Sequence, residues 1–506
     1  MTKKNKFYIT TSLMYINSEP HLGFAWELAQ ADVSARYRRL KGDDVFFLTG
    51  ADEYGKKIFE AAKKAGLDPQ DFANQNSLKI KRLAEALSIS NDFFIRTTDK
   101  ERHWPTVEKI WGILKEKGDI YKKEYEGLYC VGCEAFKTNR ELEDGKCPYH
   151  LKEPEIIKEE NYFFKLSKYL DDVKKILQED KIKIYPENRR QEALNMIDSK
   201  MGDLSVSRPS EQVSWGIPVP GDKSQNVYVW FEALLNYISA IGYAENTDNF
   251  KKYWPADTHL IGKDILKFHA IVWPAVLLAT GIELPKSILV HGFITSAGQK
   301  MSKSLDNVVS PFEIITKYGA DAFRYYFLAE ASMFSDVDFT KEKFDAKYNA
   351  DLAGGLGNLV NRVLMIAKKN ESILGNTVIN VQDLFGDENK KKIQKEYDIY
   401  MENYELEKAL GLIWQFVSEN DRQIEKIKLW ELPKKDQDKF ISEISVLIKN
   451  VVFIAWLIKP FLPTTSDKIF EVIFEEKIDD MNWKEKKIKI GEIKQLFPRV
   501  ELNKAI

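Results

Sequence analysis

Apolar residues fall along this chain in two rhythms, and the change from one to the other divides it. Near the start, Phe7-Tyr8-Ile9 leads a β-prone run to Thr11, and Val45-Phe46-Phe47-Leu48 is continuously apolar. Unbroken runs of this length mark strands buried on both faces, as in a parallel sheet. Between them Leu22, Ala25, Leu28, Ala29 and Val33 recur at helical spacing. The turn-rich Asn17-Ser18-Glu19-Pro20 precedes that helix and Lys41-Gly42-Asp43 ends it; Pro20 suits a helix start. Strand, helix, strand predicts a βαβ unit and hence a parallel sheet. The sheet pattern returns over 226–237, 261–273 and the strand-like Ile288-Leu289-Val290, and Phe312 to Leu328 reads as a helical connector. From about residue 351 only the helical rhythm remains. Leu352, Leu356, Leu359, Val360, Val363 and Leu364 form one stripe, and Leu406, Leu410, Ile413 and Val417 a second. Phe440, Ile444, Leu447, Ile448, Val451 and Ala455 form a third, so the pattern predicts a helical bundle without strands.

Composition narrows the class. At 506 residues, two or three domains with substantial cores are expected. The net charge of −2 means that any nucleic-acid partner must meet a local basic face. No secretory signal is expected, because a strand-like segment follows the basic start. The longest apolar run, Val451 to Ile458, reads as too short for a bilayer, so no membrane partner is expected. The three cysteines all lie between 130 and 147, which argues against a disulfide framework and for a reducing, cytoplasmic setting.

Three stretches carry candidate chemistry. The first strand and helix lack the Gly-rich dinucleotide fingerprint, so a nicotinamide cofactor is not expected; His21-Leu22-Gly23-Phe24 stands in its place. A helix start there offers free N–H groups to an anion, Gly23 permits close approach, and His21 either caps the helix or donates to a phosphate. Lys300-Met301-Ser302-Lys303-Ser304 follows Gly298-Gln299 on a loop, where two flexible lysines suit phosphate oxygens; the plainer reading is a solvated charged face. Cys130-x2-Cys133 and, thirteen residues on, Cys147-x2-His150 have the spacing of a four-ligand zinc knuckle, with Gly132, Gly145 and Pro148 supplying turns. Such a set leaves no position for water, so the site is expected to be structural. Its alternative is three reduced thiols and a surface histidine.

The pair His21-Leu22-Gly23-Phe24 and KMSKS resembles the double signature of class I aminoacyl-tRNA synthetases, and the chain is most similar to the methionyl family. The resemblance extends over Tyr8-Ile9-Thr10-Thr11, Tyr15-Ile16-Asn17, Phe47-Leu48-Thr49-Gly50-Ala51-Asp52-Glu53, Val229-Trp230-Phe231-Glu232-Ala233 and Ile261-Gly262-Lys263-Asp264-Ile265. It continues through Phe268-His269, Trp273-Pro274, Gly319-Ala320-Asp321-Ala322 and Leu496-Phe497-Pro498-Arg499-Val500. It implies a Rossmann-like catalytic domain in two halves (1–117 and 226–310), split by a zinc-knuckle insertion (118–225). A stem-contact connector (311–350) and an anticodon-binding helical bundle (351–506) would follow.

The implied activity joins methionine to ATP, releases pyrophosphate, and passes the methionyl group to the 3′-terminal adenosine of tRNA(Met). The implied methionine site is Leu13, Tyr15, Asp52, Trp230, Ala233, Leu234, Tyr237, Ile265, His269 and Trp273. Aromatic rings suit a thioether, and Asp52 suits the ammonium. The implied ATP contacts are His21, Gly23, Glu27, Gly262, Asp264 and Val290, with Lys300 and Lys303 acting, together with Mg²⁺, on the departing pyrophosphate. Asn358, Arg362 and Trp430 would read the anticodon, one structural Zn²⁺ would sit in the knuckle, and the chain would be a monomer.

The sequence departs from the family pattern at four places. Phe24 and Tyr54 stand where histidines are usual, and Ser12 and Met14 where Pro and Tyr are usual; altered kinetics are expected. A catalytically impaired RNA-binding paralogue and a class I synthetase for another amino acid are the alternatives.

Overall fold

The structure, a computed structural model, describes residues 4–132, 135–137, 141–148, 151–199, 201–296, 299–300, 309–374, 378–480 and 484–501. The chain opens with β1 (Lys6–Thr11), β2 (Met14–Tyr15), α1 (Leu22–Leu40), β3 (Asp44–Asp52) and β4 (Phe93–Arg96). Residues 118–227 then add β5 (Ile120–Cys130), β6 (Ala135–Lys137), β7 (Glu155–Phe164), β8 (Lys183–Tyr185), β9 (Leu204–Ser205), β10 (Ser207–Pro209), β11 (Pro218–Val219) and β12 (Asp222–Val227). Next come β13 (Thr258–Gly262) and β14 (Ser287–His291). Among the described residues, seven strands form the central sheet in the order β2-β3-β1-β13-β14-β8, with β4 also on β3. Every pairing in it is parallel.

Parallel strands need crossovers, and helices on both faces bury the sheet twice over. Alternation along each strand sorts the side chains: Phe7, Ile9, Phe47, Leu260 and Leu289 enter one apolar core. Tyr8, Leu48, Ile261, Ile288 and Val290 enter the other. The expected insertion is not wholly separate from this sheet. β5, β6, β7 and β9 form an antiparallel sheet of their own, but β8 returns to extend the parallel sheet beside β14.

Strand order reverses around β1, which lies between β3 and β13. At such a switch point the connections leave in opposite directions and open a crevice beyond the carboxyl ends of the strands. After β14 come β15 (Ile294–Ser296), β16 (Gln299–Lys300) and β17 (Val337–Phe339), a small sheet that carries the chain into the Lys300 stretch and back.

The helical half is built from helices Gly357–Lys369, Glu388–Glu402, Leu406–Ile427, Gln437–Ile458 and Pro463–Phe474, and its three expected stripes are buried. One expectation is corrected: this half is not strand-free. β18 (Val378–Asn380) pairs antiparallel with β19 (Glu485–Lys487). Pairing across such a distance in sequence leaves no local pattern to read. A second correction concerns Val451–Ile458, which lies inside the 22-residue apolar helix Gln437–Ile458, long and apolar enough by composition to cross a membrane. In the fold this helix is a core element, packed on helices Leu406–Ile427 and Pro463–Phe474.

The two halves share a core and a buried ionic joint. Arg324, fully buried on helix Ala320–Ala329, pairs with fully buried Asp32 of α1 at 2.7 Å. It also donates to the carbonyls of Phe461 at 2.6 Å and Pro460 at 2.8 Å. Ser90 and Arg36 supply further donors to Asp32, so the carboxylate is held low against the opposing effect of its burial.

Candidate active site

A cavity of about 700 Å³ opens at the carboxyl ends of β1, β3, β13 and β14. Its lining includes Leu13, Tyr15, Asp52, Trp230, Ala233, Leu234, Tyr237, Ile265 and His269. It also includes His21, Gly23, Glu27, Gly262 and Asp264. Residues named from widely separated stretches therefore share one space.

Local structure explains the helix start. His21 is extended (φ −117°, ψ 165°) and its Nδ1 accepts from the N–H of Phe24 at 3.2 Å, so it caps α1. A Cβ at Gly23 would meet that ring at 3.2 Å, so glycine leaves room for the cap. Phe24 lines the cavity and is buried, whereas Tyr54 faces Trp215 and accepts from Trp104 Nε1 at 3.2 Å, away from the lining.

A neutral hydrogen-bonded pair stands among the apolar lining residues. His269 Nδ1 donates to the carbonyl of Ile265 at 3.0 Å, which leaves Nε2 to accept the Tyr237 hydroxyl at 2.7 Å. Burial lowers the His269 pKa to about 4, so the ring is neutral at physiological pH. Burial likewise raises the Tyr237 phenol well above its ordinary value. Trp230 stacks on Phe268 with centroids 4.5 Å apart.

The opposite electrostatics hold around Glu27. Its Oε1 accepts from Ser12 N at 2.6 Å and Ser12 Oγ at 2.7 Å, and its Oε2 faces His291 Nε2 at 2.9 Å. Here serine does what the family's usual proline cannot, since proline has neither N–H nor hydroxyl. Burial opposes charge on His291, yet Glu27 and the Gly292 carbonyl together hold its pKa above the usual histidine value.

Some of the expected site residues do not reach the cavity. Trp273 is buried behind Tyr237, and Val290 points from β14 into the opposite core. Strand alternation explains the second case: His291, one residue on, lines the cavity. Lys300 is placed through its backbone, paired with Thr295, while Met301, Ser302, Lys303 and Ser304 lie outside the described residues. Cys130 and Cys147 are both buried; Cys133 and His150 lie outside the described residues. Among the described residues no cluster of metal-ligating side chains is formed.

In the helical half, Arg362 pairs with Asp421 at 2.8 Å and with Glu425 at 2.6 Å, and Asn358 reaches Asp421 at 3.4 Å. Trp430 is 46 % exposed.

The chain matches the family model described as tRNA synthetases class I (M) over residues 7–154 and 142–364. It is 42% identical to a methionine–tRNA ligase of Thermotoga maritima over 93% of this chain and 76% of that one. It is 39% identical to a methionine–tRNA ligase of Brucella suis over 93% and 92%. Mycobacterium tuberculosis methionyl-tRNA synthetase in complex with methionyl-adenylate superposes with a TM-score of 0.90 at 33% identity, covering 98% of this chain and all of that one.

The chain belongs to the methionine–tRNA ligases, class I aminoacyl-tRNA synthetases. As a methionine–tRNA ligase, it puts several residues on the cavity wall that carry no ligand role in the sequence reading: Asn17, Asn236, Phe293 and Ile294 among them. Asn236 lies two residues after Leu234 and directly before Tyr237 in the helical stretch, which was the signal available. His291 directly follows the strand-like Ile288-Leu289-Val290, and that position at the strand's carboxyl end was its only signal. Among the described residues, the remaining histidines, His103 and His259, are core groups. His259 bonds Thr10 Oγ1 at 2.8 Å, and buried His103, lowered to about 3, lies 2.7 Å from Glu232. Burial raises Glu232 well above the usual carboxylate range.

Proposed function

We propose that the cavity is where this ligase joins methionine to ATP. The observation that carries the reading is the meeting, in one space, of the neutral Tyr237–His269 wall with the capped, glycine-opened start of α1. The thioether would lie against Leu13, Tyr15, Trp230, Ala233, Leu234, Ile265 and His269, and the ammonium would pair with Asp52, buried at the end of β3. Gly23, Gly262 and Asp264 would border ATP, with the α-phosphate near His21.

The methionine carboxylate then attacks the α-phosphorus in line, a P–O bond forms, and pyrophosphate departs. With no covalent enzyme intermediate, catalysis is positioning and charge neutralisation. Lys300 and Lys303 would neutralise the departing charge, and Mg²⁺ arriving with ATP would add to that neutralisation. The 3′-terminal adenosine of tRNA(Met) would take the methionyl group while Asn358 and Arg362 read anticodon bases and exposed Trp430 stacks on one.

For the knuckle, buried thiols at Cys130 and Cys147 fit a structural Zn²⁺. Cys147 sits in a tight turn, its N–H on the Lys152 carbonyl and its carbonyl accepting from Leu151 N. Metal analysis of purified protein should give one zinc per chain, and light scattering should give a monomer. Pyrophosphate exchange driven by a panel of amino acids tests the main reading. Exchange with methionine alone is expected; exchange with another amino acid, or with none, refutes it.

A further inference from the structure

The Glu27 carboxylate is the meeting point of three segments that are far apart in sequence. It lies one turn into α1, beyond the His21 cap; Ser12 follows β1; His291 ends β14, from which the chain runs through β15 and β16 into the Lys300 stretch. The hydrogen-bond inventory at His291 leaves little choice of protonation. Nδ1 lies 2.6 Å from the Gly292 carbonyl, which only accepts. Nε2 lies 2.9 Å from Glu27 Oε2, and the other oxygen of that carboxylate already takes two donors from Ser12. Two acceptors on one imidazole call for two ring protons.

We propose that His291, protonated on both ring nitrogens, is a positioning residue for the activation step, closing a clasp through Glu27 that holds the start of α1 in register with the strands leading to Lys300. This deepens the reading that the cavity takes ATP, because the clasp joins the two segments between which the triphosphate would lie. The surroundings fit. Glu27 and His291 are both almost fully buried, so water competes little for the pair. Trp26 packs against the imidazole in a T-shaped contact with centroids 5.6 Å apart. The charged groups acting on the ring are Glu27 of α1 and Asp264 on the turn after β13, both favouring the imidazolium. Gly262 keeps that turn close: a Cβ there would stand 2.8 Å from Asp264 Oδ1 and 3.8 Å from His291 Nε2.

The sign of the pH effect follows. The histidine pKa is raised in the fold, so the clasp is complete below the ordinary histidine value. It is lost as pH rises through the raised one. Losing the proton removes one of the two hydrogen bonds and the charge on the other.

Two measurements on the full chain test this. Nitrogen-15 NMR of histidine-labelled protein, with His291→Gln used to assign the signal, should show both ring nitrogens of His291 protonated at neutral pH. A neutral His291 there overturns the proposal whatever the activity. In methionine-dependent pyrophosphate exchange, His291→Ala should raise the ATP KM about tenfold, the size expected for a charged hydrogen bond, and leave the methionine KM unchanged. His291→Gln, which keeps a single donor, should fall between. The wild-type rise in ATP KM at alkaline pH should be absent from both variants. Equal changes in the two KM values, or none in either, overturn the proposal. A wild-type chain without methionine-dependent exchange would instead defeat the cavity reading, and the NMR result would still decide the clasp.

Discussion

The cavity and the Asn358–Arg362–Trp430 surface use similar residue types under opposite conditions. Around the cavity Glu27, His291, Tyr237 and His269 are buried, and each polar group has a partner fixed by packing. On the helical surface Arg362 is partly exposed, shares its charge between Asp421 and Glu425, and has an exposed tryptophan as its proposed companion. Low dielectric and excluded water strengthen the first set, whereas water and salt weaken the second. A small reactive substrate can be enclosed by preorganised groups; a folded RNA cannot, so its reader must exchange existing ion pairs for new ones.

Substitutions can break or sharpen that contrast. The largest effect is expected from Lys303→Ala, which should slow adenylate formation about a hundredfold while methionine binding is unchanged; wild-type exchange would remove the lysine from the mechanism. Next comes Arg324→Ala at the buried joint between the halves. It takes a buried charge partner from Asp32, which keeps only Arg36 and Ser90, removes the donor from three carbonyls, and should cost about 3 kcal/mol, read by urea unfolding. Trp430→Ala should leave exchange intact and lower aminoacylation about tenfold through lost stacking. Parallel loss in both assays would make Trp430 a folding residue and erase the contrast. Smallest is Asp421→Asn, which should change folding stability by less than about 1 kcal/mol because the pair is partly exposed. Its effect on tRNA affinity should shrink as salt is raised.

Much of this was legible beforehand because periodicity is local. The runs at 7–11 and 45–48 became β1 and β3, and the stripe from Leu22 became a helix capped by His21. The methionine-site residues were named through family resemblance, and nine of ten line one cavity. Trp273 and Val290 lie off the cavity lining, and the sequence does not show it: an apolar residue beside a site and one behind it look alike until the faces of the helix and the strand that carry them are assigned. The β18–β19 pair and the return of β8 to the main sheet were invisible, since both join segments distant in sequence.

By itself the sequence determined the α/β-then-helical order, the parallel sheet, the helix start at His21 and the family. These rest on neighbour-to-neighbour spacing and on motifs contiguous along the chain. Only the tertiary structure decided that Ser12, Glu27 and His291 share one hydrogen-bonded centre, and that the apolar helix Gln437–Ile458 is core. It alone decided that Arg324 binds the catalytic helix to the helical half. Hydrogen bonds and burial depend on distances that folding sets between remote residues, and no local pattern encodes them.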